Sequence, residues 1–210
     1  MIIAIDGPAG TGKSTIASII AKKLNITYLN SGSFYRALTL ALNSTDIAVS
    51  DEKGVIDFCK KQQLDYVNSR LFLNGVDVED SLHNDDVSKR VAQVSSIISV
   101  RHLVNERMRE ITKSQSIICE GRDMTTVVFP NAEYKFYLDA SIDVQAKRRF
   151  DQGVSNMTLE EIKESIRKRD EIDRNKAEGA LKKADDAFYI DTSDLTIDKV
   201  CEIILSKINF

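Results

Sequence analysis

The sequence predicts an α/β fold built on a five-stranded parallel sheet that helices cover on both faces. Short apolar runs of strand length recur along the chain, and stretches of helical periodicity lie near each of them. An alternating segment in the first half breaks this pattern and predicts a small antiparallel insert. The strands are expected at IIAI (2–5), ITYL (26–29), SIIC (116–119), YKFYL (134–138) and AFYI (187–190).

Helical periodicity and turn signals define the remaining elements. Residues 64–78, LDYVNSRLFLNGVDV, hold two alternating segments and the turn signal Asn74-Gly75, which predicts the insert. Residues 148–157, RRFDQGVSNM, predict a short mobile loop. The last helix carries a core-facing stripe of Ile197, Val200, Ile203, Ile204 and Ile208. Helices are expected at 13–24, 33–43, 51–62, 100–114, 142–150, 158–172 and 196–208.

The bulk composition excludes several classes of protein. Hydrophobic residues make up 42% and charged residues 29% of 210, which fits one folded domain with inserts. A net charge of -3 argues against long nucleic acid as a partner. We expect no membrane span and no signal peptide. Three dispersed cysteines, Cys59, Cys119 and Cys201, predict buried, reduced thiols in a cytoplasmic protein rather than a zinc site.

The strongest functional signal is GPAGTGKST, which matches the phosphate-loop pattern G-x-x-x-x-G-K-[ST] between a strand and a helix. Its backbone N–H groups and the helix N-terminus attract phosphate. Lys13 is expected to reach the β- and γ-phosphates of a nucleoside triphosphate, and Ser14 to bind Mg²⁺. The sequence therefore predicts a P-loop three-layer fold. The residues predicted to bind the nucleoside triphosphate are Gly7, Pro8, Ala9, Gly10, Thr11, Gly12, Lys13, Ser14 and Thr15.

Arginines follow two predicted strands at their carboxyl ends, where open α/β sheets bind ligands. Arg36 lies in NSGSFYR after the second strand, and Arg122 lies in EGRD after SIIC. Planar guanidinium groups suit phosphate because they donate two parallel hydrogen bonds. Taken singly, most arginines are solvated surface residues, but the position of these two favours a second phosphorylated ligand. Further candidates are Arg101, Arg148, Arg149 and Arg169.

The chain resembles the bacterial-type cytidylate kinases of the nucleoside monophosphate kinase family. The matching segments run in the family's order over almost the whole chain, and EGRD before MTTVVFP is more specific than the phosphate loop. The segments are GPAGTGKST, NSGSFYR, LNGVDV, EGRDMTTVVFP, YLDAS, QAKRR and KRDEIDRNKA.

The resemblance implies transfer of the γ-phosphoryl group of ATP to CMP or dCMP, in pyrimidine metabolism, by a monomer. It implies a P-loop core (1–29, 92–147 and 158–210), a monophosphate-binding domain (30–91) and a lid (148–157). Arg36, Arg101 and Arg122 would clamp the acceptor phosphate, and Ser31 and Asp123 would contact cytosine. Asp173 and Lys176 would serve the ribose, while the lid-side arginines Arg148, Arg149 and Arg169 would meet the phosphates.

Physical chemistry agrees with those roles. Phosphoryl transfer needs mainly positioning and neutralised charge, and an acceptor phosphate with a second pKa of about 6 needs no strong general base. Cytosine offers an amino donor, for which the carboxylate of Asp123 is a natural acceptor. Glu120, the first residue of EGRD, could assist Mg²⁺ through water, although it is not among the predicted ligands.

The sequence departs from the family pattern at four places. Lys176 replaces the usual arginine and loses its bidentate fork. The chain reads GAL at 179–181 instead of A-P-L, and LHN at 82–84 instead of Ile-Arg-Thr, so that His83 brings no permanent cation. The segment VSSIISVR (94–101) is shorter than the family spacing, which leaves the match of Ser95 open.

Two alternatives stay open. A kinase for another acceptor, such as UMP or AMP, would carry similar phosphate clamps. A P-loop regulator that senses nucleotides without turnover would need neither the second arginine group nor a lid.

Overall fold

The computed structural model describes residues 1–67, 69–153 and 157–208. Its strands form one parallel sheet of five strands and one antiparallel sheet of three, which confirms the α/β class. In chain order the strands are β1 (Ile2–Asp6), β2 (Thr27–Asn30), β3 (Leu64–Val67), β4 (Arg70–Leu73), β5 (Val76–Asp77), β6 (Ile117–Gly121), β7 (Tyr134–Asp139) and β8 (Phe188–Asp191).

The helices account for most of the remaining chain. A 3-10 turn at Glu79–Ser81 and a π-helical turn at Met124–Val128 supplement them. The α-helices are α1 (Lys13–Leu24), α2 (Ser31–Leu42), α3 (Glu52–Cys59), α4 (Asp85–Ser96), α5 (Ile98–Thr112), α6 (Ile142–Asp151), α7 (Leu159–Asn175) and α8 (Ile197–Lys207).

The first of two compact units comprises Met1–Tyr28 and Ser116–Phe210. The strand order of the parallel sheet is β2-β6-β1-β7-β8, so β1 lies between β6 and β7. Asp6 pairs in register with Gly121, which brings the end of β1 beside the end of β6. The loops that follow these two strands therefore start at neighbouring points of one sheet edge, where such sheets bind ligands.

The core of this unit explains why its strands and helices form. Ile3, Ile5 and Phe136 of the sheet are fully buried with apolar residues of α1 and α8. The predicted stripe on α8 is confirmed at its buried positions, Val200, Ile204 and Ile208. Ile197 differs, since it is 47% exposed at the first residue of the helix.

The second compact unit is Leu29–Gln115 and contains the predicted antiparallel insert. Its sheet has the strand order β3-β4-β5, one strand more than the two predicted segments. Leu73 pairs with Val76, and the intervening Asn74 and Gly75 both have positive φ angles, 50° and 81°. This is the two-residue hairpin turn that the Asn-Gly signal indicates.

Helix α4 was not predicted. It begins at an N-cap, Asn84, whose side chain accepts a hydrogen bond from the Val87 N–H at 2.8 Å. Val87 and Val94 are buried, but most of the helix is polar, so its apolar signal in the sequence is weak. Residues 92–115, placed with the core from the sequence, group with the second unit because α4 and α5 pack against α2.

The prediction of a loop at 148–157 is wrong for its first four residues. Residues 148–151 continue α6, because helical hydrogen bonding extends to Asp151. Residues 154–156 of the expected lid lie outside the described residues. The assignment of the two units and of a lid to particular ligands stays a prediction.

Two further sequence predictions concern cysteines and membranes. Cys59, Cys119 and Cys201 are free and buried, as expected. Over the ranges given above, no helix combines the length and the apolar character needed to cross a membrane.

Candidate active site

The phosphate loop lies between β1 and α1 in the first unit, where the sequence predicted it. Gly12 is the N-cap of α1 with a φ angle of 90°, a conformation that L side chains rarely adopt. At Gly7 an added Cβ atom would lie 2.0 Å from the carbonyl oxygen of Leu138. Both glycines are therefore required by the path of the loop, and N–H groups at the start of α1 remain available to an anion.

Lys13 is buried and folds back onto the loop. Its ammonium group donates to the carbonyl oxygen of Pro8 at 2.5 Å and to Thr11 Oγ1 at 3.4 Å. Burial, reinforced by the nearby charge of Arg122, lowers the pKa of Lys13 to about 7. The parallel register pairs Asp6 with Gly121, so the loop that carries Lys13 and the EGRD segment that carries Arg122 begin side by side.

Two oxygen-bearing side chains, Ser14 and Glu120, lie together at the start of α1. Ser14 Oγ donates to Glu120 Oε1 at 2.8 Å, and the Tyr28 hydroxyl donates to the same oxygen at 3.2 Å. Glu120 is 6% exposed, whereas Ser14 is exposed. A hydroxyl and a carboxylate are the hard oxygen donors that suit Mg²⁺, so these residues fit the ion implied by the phosphate loop.

Arg122 is joined to two other predicted site residues. Its Nε donates to Asp173 Oδ2 at 2.9 Å, and Lys176 Nζ donates to Asp173 Oδ1 at 2.7 Å. Arg169 Nε lies 4.0 Å from the same carboxylate. Burial opposes ionisation of Asp173, but the charge of Arg122 and the hydrogen bond from Lys176 outweigh it and lower its pKa. One carboxylate therefore organises three predicted cations.

Asp123 directly follows Arg122 and is 4% exposed. Its carbonyl oxygen accepts from the N–H groups of Val127 and Val128, at 2.9 and 3.1 Å, which closes the π-helical turn. A buried carboxylate at this point suits recognition of a polar group on a ligand.

The helical arginines occupy different positions. Arg148 donates to Thr192, to Oγ1 at 2.9 Å and to the carbonyl oxygen at 2.6 Å, and Thr192 Oγ1 lies 2.9 Å from the carbonyl oxygen of Asp139 and 3.3 Å from that of Thr11. The chain of contacts brings Arg148 to the phosphate loop. Arg149 is half-buried on α6, and Arg169 has a side chain that is 55% exposed.

Sequence reasoning missed two carboxylates that hold the loops. Asp6 accepts hydrogen bonds from Met124 N, Thr125 N and Thr125 Oγ1. Asp170 on α7 accepts from the N–H of Ala9 in the phosphate loop at 3.2 Å. Burial raises the pKa of Asp6 to about 6 and also raises that of Asp170. The only sequence signal for the role of Asp6 was its position directly before Gly7. Asp170 gave no such signal, because it is one of many charged residues on the polar helix α7.

The second unit holds the remaining predicted residues. Ser31 opens α2 and is 7% exposed. Arg36 donates to the carbonyl oxygen of Leu82 and to Ser88 Oγ, both at 3.1 Å. Arg101 is buried, with its guanidinium carbon 6.0 Å from the centre of the Tyr35 ring. Burial lowers the pKa of Arg36; an arginine nevertheless stays charged at neutral pH.

The fold and the phosphate loop define a P-loop kinase-type nucleotide-binding protein. The chain belongs to the cytidylate kinase family, which it matches over residues 3–210. It is 42% identical over 216 residues to the cytidylate kinase of Borreliella burgdorferi (strain ZS7), covering 100% of this chain and 97% of that one. It is also 42% identical over 212 residues to the cytidylate kinase of Clostridioides difficile (strain 630), covering 100% and 98%.

Solved structures show the same fold at low sequence identity. A shikimate kinase from Bacteroides thetaiotaomicron superimposes with a TM-score of 0.52 at 12% identity, covering 99% of this chain and 97% of that one. An uncharacterized protein from Eubacterium ventriosum superimposes with a TM-score of 0.51 at 14% identity, covering 99% and 97%.

Proposed function

We propose that this protein transfers the γ-phosphoryl group of ATP to CMP or dCMP, giving ADP and CDP or dCDP. The observation that carries the proposal is the position of Arg122. It directly follows Gly121 of β6, which pairs in register with Asp6 at the start of the phosphate loop, and it hydrogen-bonds Asp173, in a chain of the cytidylate kinase family.

The donor nucleotide is assigned to the loop from Gly7 to Thr15. Its N–H groups and the start of α1 cradle the phosphates, and Lys13 leaves the Pro8 carbonyl to contact the β- and γ-phosphates. Because Lys13 is buried, triphosphate charge stabilises its protonated form. Arg148 and Arg149 meet the transferring group from α6, as parts of a lid at 148–157 that closes over the nucleotides and excludes water.

Mg²⁺ is assigned to Ser14, with Glu120 holding it directly or through water. The ion would neutralise charge on the β- and γ-phosphates. In this arrangement Tyr28 keeps the Glu120 carboxylate in place through its 3.2 Å hydrogen bond.

The acceptor phosphate is assigned to Arg36, Arg101 and Arg122. Guanidinium groups reduce the repulsion between two anionic nucleotides and hold the acceptor oxygen in line with the γ-phosphorus. The acceptor is mostly dianionic at neutral pH, because its second pKa is about 6, so its own oxygen attacks without a strong general base.

The acceptor nucleoside is assigned to Ser31, Asp123, Arg169, Asp173 and Lys176. The Asp123 carboxylate accepts from the cytosine amino group, which uracil replaces with a carbonyl. Asp173 and Lys176 serve the ribose hydroxyls, with Arg169 at their edge. The resemblance leads us to propose a monomer, and the three free, buried cysteines support a cytoplasmic location.

The decisive experiment measures ADP release with ATP and Mg²⁺ in the presence of CMP, dCMP, UMP, AMP, GMP or dTMP, with a control that lacks acceptor. We expect rapid release with CMP and dCMP alone. Faster release with UMP or AMP would keep the kinase and reject the cytosine assignment. Release without acceptor, or none with any, would favour an ATPase or a nucleotide-sensing regulator.

Two variants separate the acceptor roles. Arg122→Ala is expected to abolish transfer to every acceptor, because it removes a cation that holds the acceptor phosphate common to all of them. Asp123→Asn is expected to lower the preference for CMP over UMP by about tenfold. This is the size of effect expected when a hydrogen bond that distinguishes one base from another is lost. Unchanged turnover in both variants would reject the acceptor site.

A further inference from the structure

Asp6 occupies the last position of β1, directly before the first glycine of the phosphate loop. Its side chain is fully buried at 0% exposure. Its position in the sheet is fixed by the parallel register with β6, in which Asp6 pairs with Gly121. The residue after Gly121 is Arg122, so Asp6 sits where the two functional loops begin side by side.

Both carboxylate oxygens of Asp6 accept hydrogen bonds from two consecutive residues of the other loop. Oδ1 accepts from Met124 N at 2.8 Å, and Oδ2 accepts from Thr125 N at 2.7 Å and from Thr125 Oγ1 at 2.6 Å. These donors directly follow Arg122 and Asp123 in the sequence. Hydrogen bonds to a buried carboxylate are short and directional, so this group fixes the first turn of Met124–Val128.

We infer that Asp6 is a positioning residue, which holds Arg122 and Asp123 at a fixed distance from the phosphate loop through its hydrogen bonds to Met124 and Thr125. This inference rests on the kinase reaction proposed above. The position of one carboxylate then links the element that holds the donor phosphates to the element that recognises the acceptor. Since small displacements of positioned groups slow catalysis strongly, the bonds of Asp6 matter to rate as well as to stability.

Thr125 and Thr126 provide a matched pair for testing this role. They are neighbours in the same turn, but Thr125 Oγ1 donates to Asp6, whereas the buried Thr126 Oγ1 has no hydrogen-bond partner in the part of the chain that the structure describes. Replacing threonine by valine removes the hydroxyl and keeps the shape. Thr125→Val therefore deletes one of the three bonds to Asp6, and Thr126→Val deletes none.

The experiment compares Thr125→Val, Thr125→Ser and Thr126→Val with the wild type. Three quantities are measured: kcat and KM for CMP at saturating ATP, the Kd of a non-hydrolysable ATP analogue without acceptor, and the thermal unfolding midpoint. We expect Thr125→Val to lower kcat/KM for CMP about tenfold or more, the effect of a hydrogen bond to a charged group. The analogue Kd should change less than about twofold, because the phosphate loop itself is intact.

Rescue separates positioning from bulk stability. Thr125→Ser restores the hydroxyl and should recover most of kcat/KM, while Thr126→Val should match the wild type in kcat/KM and in the analogue Kd. Asp6→Asn should be more damaging than Thr125→Val, because its amide NH₂ would face backbone N–H or hydroxyl donors; if it fails to fold, the threonine series alone decides. Equal kinetics of Thr125→Val and Thr126→Val, with CMP turnover by the wild type, would overturn the inference.

A loss in Thr125→Val that affects ATP-analogue binding and CMP turnover equally would also overturn the inference, because it would indicate a structural role alone. Absence of turnover by the wild type with every monophosphate has a different meaning. That result would reject the proposed function, and with it the reaction on which the positioning role depends.

Discussion

Arg122 and Asp173, which are 51 residues apart in the chain, form a hydrogen-bonded ion pair of 2.9 Å between Nε and Oδ2. The side chain of Asp173 is 8% exposed and that of Arg122 is 19% exposed, so the pair is shielded from water on the aspartate side. Lys176 completes the arrangement from the other oxygen, at 2.7 Å. A carboxylate assigned to the ribose thus also orients a guanidinium assigned to the acceptor phosphate.

The first prediction concerns the stability provided by this carboxylate. Asp173→Asn leaves Arg122 and Lys176 without their anion and should lower the free energy of unfolding at pH 7 by roughly 1–3 kcal/mol, less than for a fully buried pair because both cations reach solvent. The folded-state pKa of Asp173 is lowered, so its stabilisation is present above the unfolded-state value and is lost as pH falls through the folded-state value.

The measurement is urea unfolding of wild type and Asp173→Asn at pH 7, 5 and below 4. The difference between the two proteins should be similar at pH 7 and pH 5 and should shrink in the most acidic samples, as pH falls through the lowered pKa of Asp173. Glu202→Gln is the matched control, because Glu202 pairs with Lys199 on the surface at 64% exposure. It should change stability by less than about 0.5 kcal/mol. A pH-independent difference for Asp173→Asn would contradict the assignment.

The second prediction concerns Lys176, the lysine that pairs with Asp173 three residues before it. Lysine provides a single ammonium group, which here donates to Asp173 Oδ1. Lys176→Arg should lower KM for CMP about two- to fivefold by adding a planar fork, and Lys176→Met should raise it about tenfold. Steady-state kinetics with CMP and dCMP would test this, and an equal KM in all three proteins would exclude Lys176 from the ribose site.

The third prediction concerns Tyr28. The change Tyr28→Phe removes the hydroxyl that donates to Glu120 and leaves the ring in place. Outer-shell partners of metal ligands commonly tune metal affinity, so the Mg²⁺ concentration for half-maximal activity should rise about two- to tenfold. A direct readout is the Kd of Mg²⁺ for the protein with ADP bound, measured by calorimetry, which should weaken in the same direction.

Tyr189→Phe is the control for this change. The Tyr189 hydroxyl donates to Asp139 Oδ2 at 3.3 Å on the exposed edge strand, away from the Ser14–Glu120 pair. It should leave the Mg²⁺ dependence unchanged. If Tyr28→Phe behaves like Tyr189→Phe in both measurements, Glu120 does not need Tyr28 to serve the ion.

The sequence reveals local features of this fold better than contacts between distant segments. The phosphate loop, β1 and the Asn74-Gly75 turn depend on neighbouring residues, and each was predicted in place. Helix α4 was missed because its few buried valines acquire meaning only when it packs against α2. Asp6 was also missed, since its donors lie 118 and 119 residues away and nothing near it in the chain distinguishes it from an ordinary strand end.

The same contrast between local patterns and distant contacts holds in the candidate site. The position of EGRD after a strand predicted that Arg122 faces a ligand, which stays a prediction, whereas the parallel register shows that the segment begins beside the phosphate loop. The interaction of Arg122 with Asp173 requires α7 to fold onto the sheet edge, which no local pattern encodes.

The last prediction concerns Asn105 on α5, one turn after Arg101. Its side chain is 3% exposed, and Oδ1 has no hydrogen-bond partner within the described ranges. A buried polar atom without a partner costs free energy, so Asn105→Leu should raise the free energy of unfolding by about 1 kcal/mol. For a chain of this length that corresponds to a thermal midpoint about 2–4 °C higher.

Gln93→Leu is the control, because Gln93 is an exposed amide on α4 of the same unit, and it should change the midpoint little. The kinetic constants for CMP give the second readout. If Asn105 only fills space, Asn105→Leu keeps KM for CMP while it stabilises the protein. If the variant is less stable, the pocket around Oδ1 cannot accept the larger side chain. A KM that rises with unchanged stability would instead indicate that Asn105 orients Arg101, its neighbour one helical turn away.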